Sequence, residues 1–260
     1  MKNKVSVLMT SYNAERFIAE AIKSIINQSY KNWNLIIVDD QSNDRSVKII
    51  KKFKNKKIKL IKLNKHIGRT NALIIGLKKC TGEFTAIMDA DDIAHIDRFK
   101  KQIEFLRDNK EVKMVGSWIY KIDEYSKKFG YLKPSTDRRK LSSDLLFLNT
   151  LSHSSLMFDT KLAKKFKGYP AQLKYAQDYG LILKFLNNTK LAVISKFLIY
   201  NRFQKKSMTY TKEYQKQIVK DQIYLIKYVR KNFDLNLMQL FKYYILRIKF
   251  FFKTIKYFFF

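Results

Sequence analysis

Apolar and polar positions along the first hundred residues alternate between two periods. Val5-Ser-Val-Leu-Met9 is a short apolar run, and residues 14–28 follow with Phe17, Ala21, Ile22, Ile25 and Ile26 at helical spacing. Trp33 to Val38 is a second apolar run, residues 44–54 are helical in pattern, Lys57 to Leu63 is a third run, and residues 70–80 are helical again. Phe84 to Met88 is a fourth run, ahead of a helix at about residues 95–108. Short apolar runs bounded by polar clusters are strands, and strands alternating with helices predict a mostly parallel α/β sheet with helices on both faces.

The second half is less regular. Residues 119–137 are polar and predict a loop or hairpin, Leu156-Met-Phe158 a strand, and Gln177 to Phe185 a helix. Leu191–Ile194 and Phe197–Phe203 predict two further short strands. From about residue 211 the pattern is helical to the end, with neither Pro nor Gly to interrupt it.

Parallel sheets of this kind bind ligands beyond the carboxyl ends of their strands. Three polar clusters fall there: Thr10–Asn13, Asp39–Asp44 and Asp89–Asp92. The last, Asp-Ala-Asp-Asp, crowds three carboxylates at the end of a buried run, where they repel one another unless they share a cation. Hard oxygen ligands favour Mg²⁺ or Mn²⁺, which in turn favour a phosphate-bearing substrate. A plainer reading is also open: the cluster caps a turn before the next helix, as Asp39 and Asp44 would cap the helix near residue 44.

With 260 residues, 46% of them hydrophobic, the chain can bury a sizeable core in one domain plus an appendage. Its 53 Lys and Arg against 22 Asp and Glu give a net charge of +31, which calls for a polyanionic partner. Lysine outnumbers arginine, favouring diffuse attraction to phosphate or membrane over bidentate base reading. Neither an aromatic stacking motif nor clustered arginines mark an RNA-binding module, so nucleic acid is not expected as a partner. Cys80 is the single cysteine and cannot form an internal disulfide, which fits a reducing compartment. The basic Met-Lys-Asn-Lys start leads into an apolar stretch that is too short for a leader and meets Ser11-Tyr-Asn13, so a cytoplasmic location is expected.

The motifs recur in a recognisable order: 5–13 (Val-Ser-Val-Leu-Met-Thr-Ser-Tyr-Asn), Ile25-Ile-Asn-Gln28, 35–44 (Leu-Ile-Ile-Val-Asp-Asp-Gln-Ser-Asn-Asp), Gly82-Glu-Phe84 and Asp89-Ala-Asp-Asp92. Over roughly residues 4–205 this resembles the family 2 glycosyltransferases, inverting enzymes with the GT-A fold. The resemblance implies a transferase domain over 1–205, with a nucleotide-binding half at about 1–118 and an acceptor half at about 119–205. A basic, aromatic-rich helical tail would occupy 206–260. It also implies a UDP-sugar donor, a saccharide or lipid-linked acceptor, a role in surface polysaccharide or lipopolysaccharide synthesis, and Mn²⁺ or Mg²⁺ as cofactor.

Individual roles carry over from the same resemblance. Thr10 and Tyr12 would line the nucleotide pocket, Asp40 would hydrogen-bond the uracil, and Arg69 would lie near the diphosphate. Asp89 and Asp91 form the family's DxD pair, with Asp91 the direct metal ligand and Asp89 nearer the ribose. His153 matches a position close to the acceptor. Asp178, in Ala-Gln-Asp-Tyr (176–179), matches the catalytic base that takes the proton of the attacking hydroxyl. Arg202, on the acceptor or diphosphate side, falls in a segment that closes over the donor in relatives. Gln177, Ile96, Ile74 and Gln204 depart from the family's usual residues without removing a needed carboxylate.

Residues 241–260 hold five basic side chains, ten aromatics and no acid. No charge-free run approaches the roughly 20 residues of a spanning helix. Residues 235–260 are therefore expected to lie in a membrane interface as an amphipathic helix, attaching the chain peripherally to the anionic cytoplasmic face. Alternatively the helix packs on the domain or on a second copy. Among rival functions, a sugar-nucleotide pyrophosphorylase needs a Gly-rich loop that Met9–Asn13 lack. A basic nucleic-acid- or membrane-binding scaffold without transferase activity would not need Asp89, Asp91 and Asp178.

Overall fold

The computed structural model describes residues 3–204 and 212–259. Four parallel strands build its first half: β1 (Val5–Ser11), β2 (Trp33–Asp39), β3 (Ile58–Lys62) and β4 (Phe84–Ile87). Helices α1 (Ile18–Ile26), α2 (Ser46–Lys52) and α3 (Arg69–Lys79) connect them. Alternation along β1 explains why apolar residues fall on both of its faces, with buried Ser6 held by hydrogen bonds to Asn34 and Gly82. Val5, Val7 and Met9 pack into a core with Ile18, Ile22 and Ile25 of α1, while Leu8 points into a second core with Leu73 and Leu77 of α3. A strand covered on both faces has no side to leave polar.

After β4 come β5 (Ile93–Ala94), α4 (Arg98–Asp108), β6 (Val112–Ile122), β7 (Lys128–Leu132), α5 (Arg138–Leu145), β8 (Met157–Asp159), α6 (Thr160–Lys165), α7 (Gln177–Asn188) and β9 (Lys190–Arg202). All strands join one nine-stranded sheet in the order β3-β2-β1-β4-β8-β6-β9-β5, with β7 paired on β6. Strand β8 runs antiparallel to both β4 and β6, and β9 is parallel to β6. The chain winds outward from β1 to β3, then crosses through α3 to β4 on the other side of β1. That reversal opens a crevice beyond the carboxyl ends of β1 and β4, where a ligand fits. Thr10–Asn13 and Asp89–Asp92 border it.

Several expectations are refined. The polar stretch 119–137 holds the end of β6 and the β6–β7 hairpin. The two short strands expected at 191–194 and 197–203 are one, β9. Its register on β6 jumps from Ser117↔Ile194 to Trp118↔Phe197, so exposed Ser195 and Lys196 are bulged out and the strand is not broken.

The helical C-terminal region is two helices, α8 (Lys212–Asn232) and α9 (Leu237–Phe259). Leu225 and Val229 of α8 pack with Leu173, Tyr179 and Leu183, so α8 docks on α7. Helix α9 leaves Leu237, Met238, Phe241, Tyr244, Ile245 and Ile248 exposed.

Candidate active site

The carboxylates after β4 stay close enough to repel one another, but each takes a different partner. Asp89 Oδ1 accepts from Arg69 Nη2 at 2.6 Å, and Arg69 Nη2 also lies 3.1 Å from His153 Nδ1. Asp91 Oδ2 accepts from Gln204 Nε2 at 3.0 Å. Asp92 is fully buried, accepts from Asn201 Nδ2 at 2.9 and 2.8 Å, and takes the Arg202 backbone N–H at 2.8 Å. It ties the end of β9 to the acidic turn.

Their acidities diverge accordingly. Burial pushes the Asp89 carboxyl up, but Arg69 and then His153 outweigh it and hold Asp89 below the usual carboxylate range. Burial and the neighbouring charge of Asp89 push Asp91 up, with Arg69 opposing. Burial and both neighbouring carboxylates push Asp92 up further. Arg69 stays firmly cationic, because attraction to Asp89 exceeds the cost of its burial. An ionised carboxylate beside one that resists ionisation is what like charges produce at close range.

Arg98, unassigned from the sequence, sits wholly buried beneath this turn. Its Nε donates to Gln102 Oε1 at 3.0 Å and its Nη2 to the Leu156 carbonyl at 3.1 Å. Burial pulls its guanidinium down to about 9, against the opposing charges of Asp92 and Asp89. Gln102 Nε2 donates to the Ser155 carbonyl at 2.7 Å, so α4 anchors the short 3₁₀ turn His153–Ser155 from below. That turn in turn presents His153, whose Nε2 is 3.0 Å from Tyr169 Oη, and Ser154, whose Oγ accepts the Asp89 backbone N–H at 3.1 Å. Arg98 and Gln102 stand four residues apart on α4, but the backbone they hold, at Leu156 and Ser155, lies more than fifty residues along the chain.

Arg69, Asp89, His153 and Asp178 all line one open cleft of about 340 Å³. Asp178 lies in the first turn of α7, and its Oδ2 accepts from Asn149 Nδ2 at 3.0 Å. The loop leading into α7 is held by α8: Asp221 Oδ2 accepts the backbone N–H groups of Tyr175 at 2.7 Å and Ala176 at 3.0 Å. Asn149, Tyr169 and Asp221 carry no sequence signal, because each meets its partner from a distant stretch of chain.

The remaining expected residues lie off this cleft. Thr10 is in β1, in register with Val38 of β2. Tyr12 is 46% exposed and tilts over the ring of His66, centroids 4.2 Å apart. Asp40 is buried, and its oxygens accept the backbone N–H groups of Ile67 at 2.8 Å and Gly68 at 2.9 Å, with His66 Nδ1 at 2.9 Å. It thus fixes the loop that carries Arg69 into α3. Asp44 accepts the backbone N–H groups of Ser46 at 2.8 Å and Glu15 at 2.9 Å. It stands one residue before the α2 N-cap, Arg45, which has no side-chain cap. Asp39 accepts from Ser42 and caps no helix.

Arg202, expected on the acceptor or diphosphate side, is buried and committed to protein acceptors. Its guanidinium donates to the carbonyls of Asp91 at 2.8 Å and Asp123 at 2.9 Å, and to Glu20 Oε2 at 2.6 Å. It braces the acidic turn against α1 and the β6–β7 hairpin.

Comparison with known proteins bears on the family and the fold. The family model for glycosyl transferase family 2 matches residues 6–166. An uncharacterized glycosyltransferase of Methanocaldococcus jannaschii, MJ1057, is 33% identical over 86% of this chain and 77% of its own length. The Escherichia coli UDP-Glc:alpha-D-GlcNAc-diphosphoundecaprenol beta-1,3-glucosyltransferase WfgD is 29% identical over 77% of this chain and 76% of its own. Among solved structures, S. aureus TarS 1–349 in complex with UDP-GlcNAc superposes with a TM-score of 0.71 at 22% identity, over 92% of this chain and 69% of that one. The mannosyltransferase PcManGT of Pyrobaculum calidifontis, in complex with GDP-Man and Mn²⁺, gives 0.67 at 16% identity, over 90% and 66%. A mixed α/β sheet with a site at its strand reversal, a matched family model and relatives along most of its length make this chain a member of glycosyl transferase family 2, with the fold of the GT-A type enzymes.

Proposed function

We propose that this glycosyltransferase moves a sugar from a UDP-sugar to a hydroxyl of a saccharide or lipid-linked acceptor, with inversion, in the synthesis of a surface polysaccharide or lipopolysaccharide. One observation carries the reading: the Asp178 carboxylate opens onto the same cleft as the Arg69–Asp89 pair. A base on one wall and the donor-side charges on the other suit in-line attack. Asp178 takes the acceptor proton through the oxygen that Asn149 leaves free, as the hydroxyl attacks the anomeric carbon. Such a base contributes about 10²–10⁴-fold. Arg69 faces the diphosphate, and His153 orders the acceptor side. Thr10, Tyr12 and Asp40 serve the nucleotide: the exposed Tyr12 ring is a surface for the base, and Asp40 shapes the neighbouring loop.

The acidic turn suits a hard divalent cation. Asp89 and Asp91 offer oxygen donors, and a bound cation would relieve the repulsion that pushes Asp91 up. Among the described residues no group of three His, Cys, Asp or Glu makes a protein-only metal cage. Mg²⁺ and Mn²⁺ sites of phosphate enzymes commonly use one or two carboxylates and complete the set with water and substrate phosphates. Held by Asp91, with Asp89 beside it, Mn²⁺ or Mg²⁺ would neutralise charge on the departing UDP.

WfgD is named for UDP-Glc and TarS was solved with UDP-GlcNAc, which supports a UDP donor, while GDP-Man in PcManGT makes GDP the competitor to test. WfgD is also named for a diphosphoundecaprenol-linked acceptor, which supports a lipid-linked one here. Among the described residues no helix is long and apolar enough to cross a membrane. The exposed apolar side chains of α9 support peripheral attachment through residues 235–260 to the cytoplasmic membrane face.

Calorimetric titration of UDP, GDP and CMP, with and without Mn²⁺, into wild type and Asp91→Ala tests the donor site. UDP should bind best, should require the metal, and should lose that requirement together with its affinity in the variant. A folded sample without metal-dependent nucleotide binding would overturn the reading.

A further inference from the structure

A second cavity, of about 620 Å³, lies between α5, the α7–β9 junction and the start of α9. It shares no lining residue with the first cleft. Its floor is apolar, from half-buried Leu146, Leu186 and Phe233. Its rim is cationic, with exposed Arg138, Arg139 and Lys190 contributed by two separate elements. Glu111 takes up Arg138 through a 2.5 Å contact and also lies near Lys190, and Asp137 lies near Arg139, so three cations against two carboxylates leave the rim with one positive charge in surplus. Gln239 brings α9 to the edge of the groove, and the neighbouring Leu237 and Met238 are 85% and 70% exposed.

We propose that this groove seats the headgroup phosphate and upper acyl segment of an anionic phospholipid of the membrane on which the enzyme sits. Cations at the rim match a phosphate, and the apolar floor matches the first methylenes of an acyl chain. The exposed apolar start of α9 continues that surface outward, so chain and headgroup would enter from the same side. The volume lies within the roughly 300–1,000 Å³ of small-molecule sites. The inference rests on the membrane-attachment reading for its source of ligand. A reacting lipid-linked acceptor is a poorer occupant, because its sugar must reach Asp178 in a cleft lined by other residues.

The test uses monomeric lipid and the full chain. Dioctanoyl phosphatidic acid, below its micelle concentration, should bind one-to-one, and dioctanoyl phosphatidylcholine and inorganic phosphate about ten-fold more weakly. Arg139→Glu/Lys190→Glu, both exposed and so compatible with folding, should weaken that binding by about ten-fold. Lys23→Glu/Lys100→Glu, with the same change in net charge, should leave it intact. Equal losses in the two double variants, equal binding of both lipids, inorganic phosphate binding as tightly as the lipid, or farnesyl phosphate displacing phosphatidic acid as the preferred ligand would each overturn the proposal. Vesicle co-sedimentation of wild type separates the two readings. Sedimentation without monomeric-lipid binding sinks the groove alone, and monomeric-lipid binding without sedimentation sinks membrane attachment.

Discussion

At the scale of single residues, environment rather than identity sorts the acids of this chain. Asp89, Asp91 and Asp92 are near neighbours in sequence, yet one faces an arginine, one a glutamine and one a buried strand end. Asp178 is the sharpest test. Asp178→Asn keeps the shape and removes the base, so transfer should fall by about 10²–10⁴-fold while UDP affinity is unchanged. Asn149→Ala should give a smaller fall in kcat, because it frees the carboxylate without removing it. Cys80 gives a test of the core: it is fully buried, and burial pushes its thiol up to about 12. Ellman's reagent at pH 8 should leave the native protein unmodified and react fully once guanidinium unfolds it. An unfolded thiol ionises at about 8.5, whereas the folded one stays protonated there. The contribution of Cys80 is therefore whole below that value and is lost as pH rises toward 12.

At the scale of elements, the site depends on how strands and helices approach. A Cβ added at Gly82 would stand 2.6 Å from both the Lys4 carbonyl oxygen and the Ser6 backbone nitrogen, so the turn into β4 can meet β1 only without a side chain. Gly82→Ala should cost about 1–3 kcal/mol, read as a lower thermal midpoint. Helix α8 has a comparable role at the loop that leads into α7. Asp221 is 1% exposed and holds the two peptide N–H groups that lead into α7. Asp221→Ala should reduce kcat through a misplaced Asp178 while UDP binding, made at the other wall, is retained. Unchanged kinetics in a folded variant would show that α8 merely covers the domain. Strands β1, β2 and β4 were legible because burial on both faces makes each a mostly apolar run, whereas β3 shows as an alternation with Lys59 and Lys62 exposed. Strand β9 was not legible, since its exposed Ser195–Lys196 bulge looks like a break when the partner strand is unseen.

For the whole molecule, the proposed membrane attachment would draw on both the +31 charge and the exposed apolar side chains of α9. Deleting residues 235–260 should release the enzyme from membranes into the supernatant. Raising salt from 0.15 to 1 M shortens the Debye length from about 8 to about 3 Å, so it should release part of the full-length protein as well. Continued pelleting of the truncated chain would move the attachment elsewhere on the surface.

The sequence by itself determined the alternation of strands and helices and the polar clusters at the strand ends, while Arg69 and Asp178 were singled out only through the family resemblance. Those features are local: periodicity and strand-end placement depend on a few neighbouring residues. Tertiary structure alone decided which partner each of the crowded carboxylates takes. It also decided that Arg202 braces the acidic turn from within, that Asp40 clamps the loop before α3, and that Arg98, Asn149 and Asp221 support the site. Each of those roles rests on a partner far along the chain, and a hydrogen bond formed across such a separation leaves no period or spacing to read.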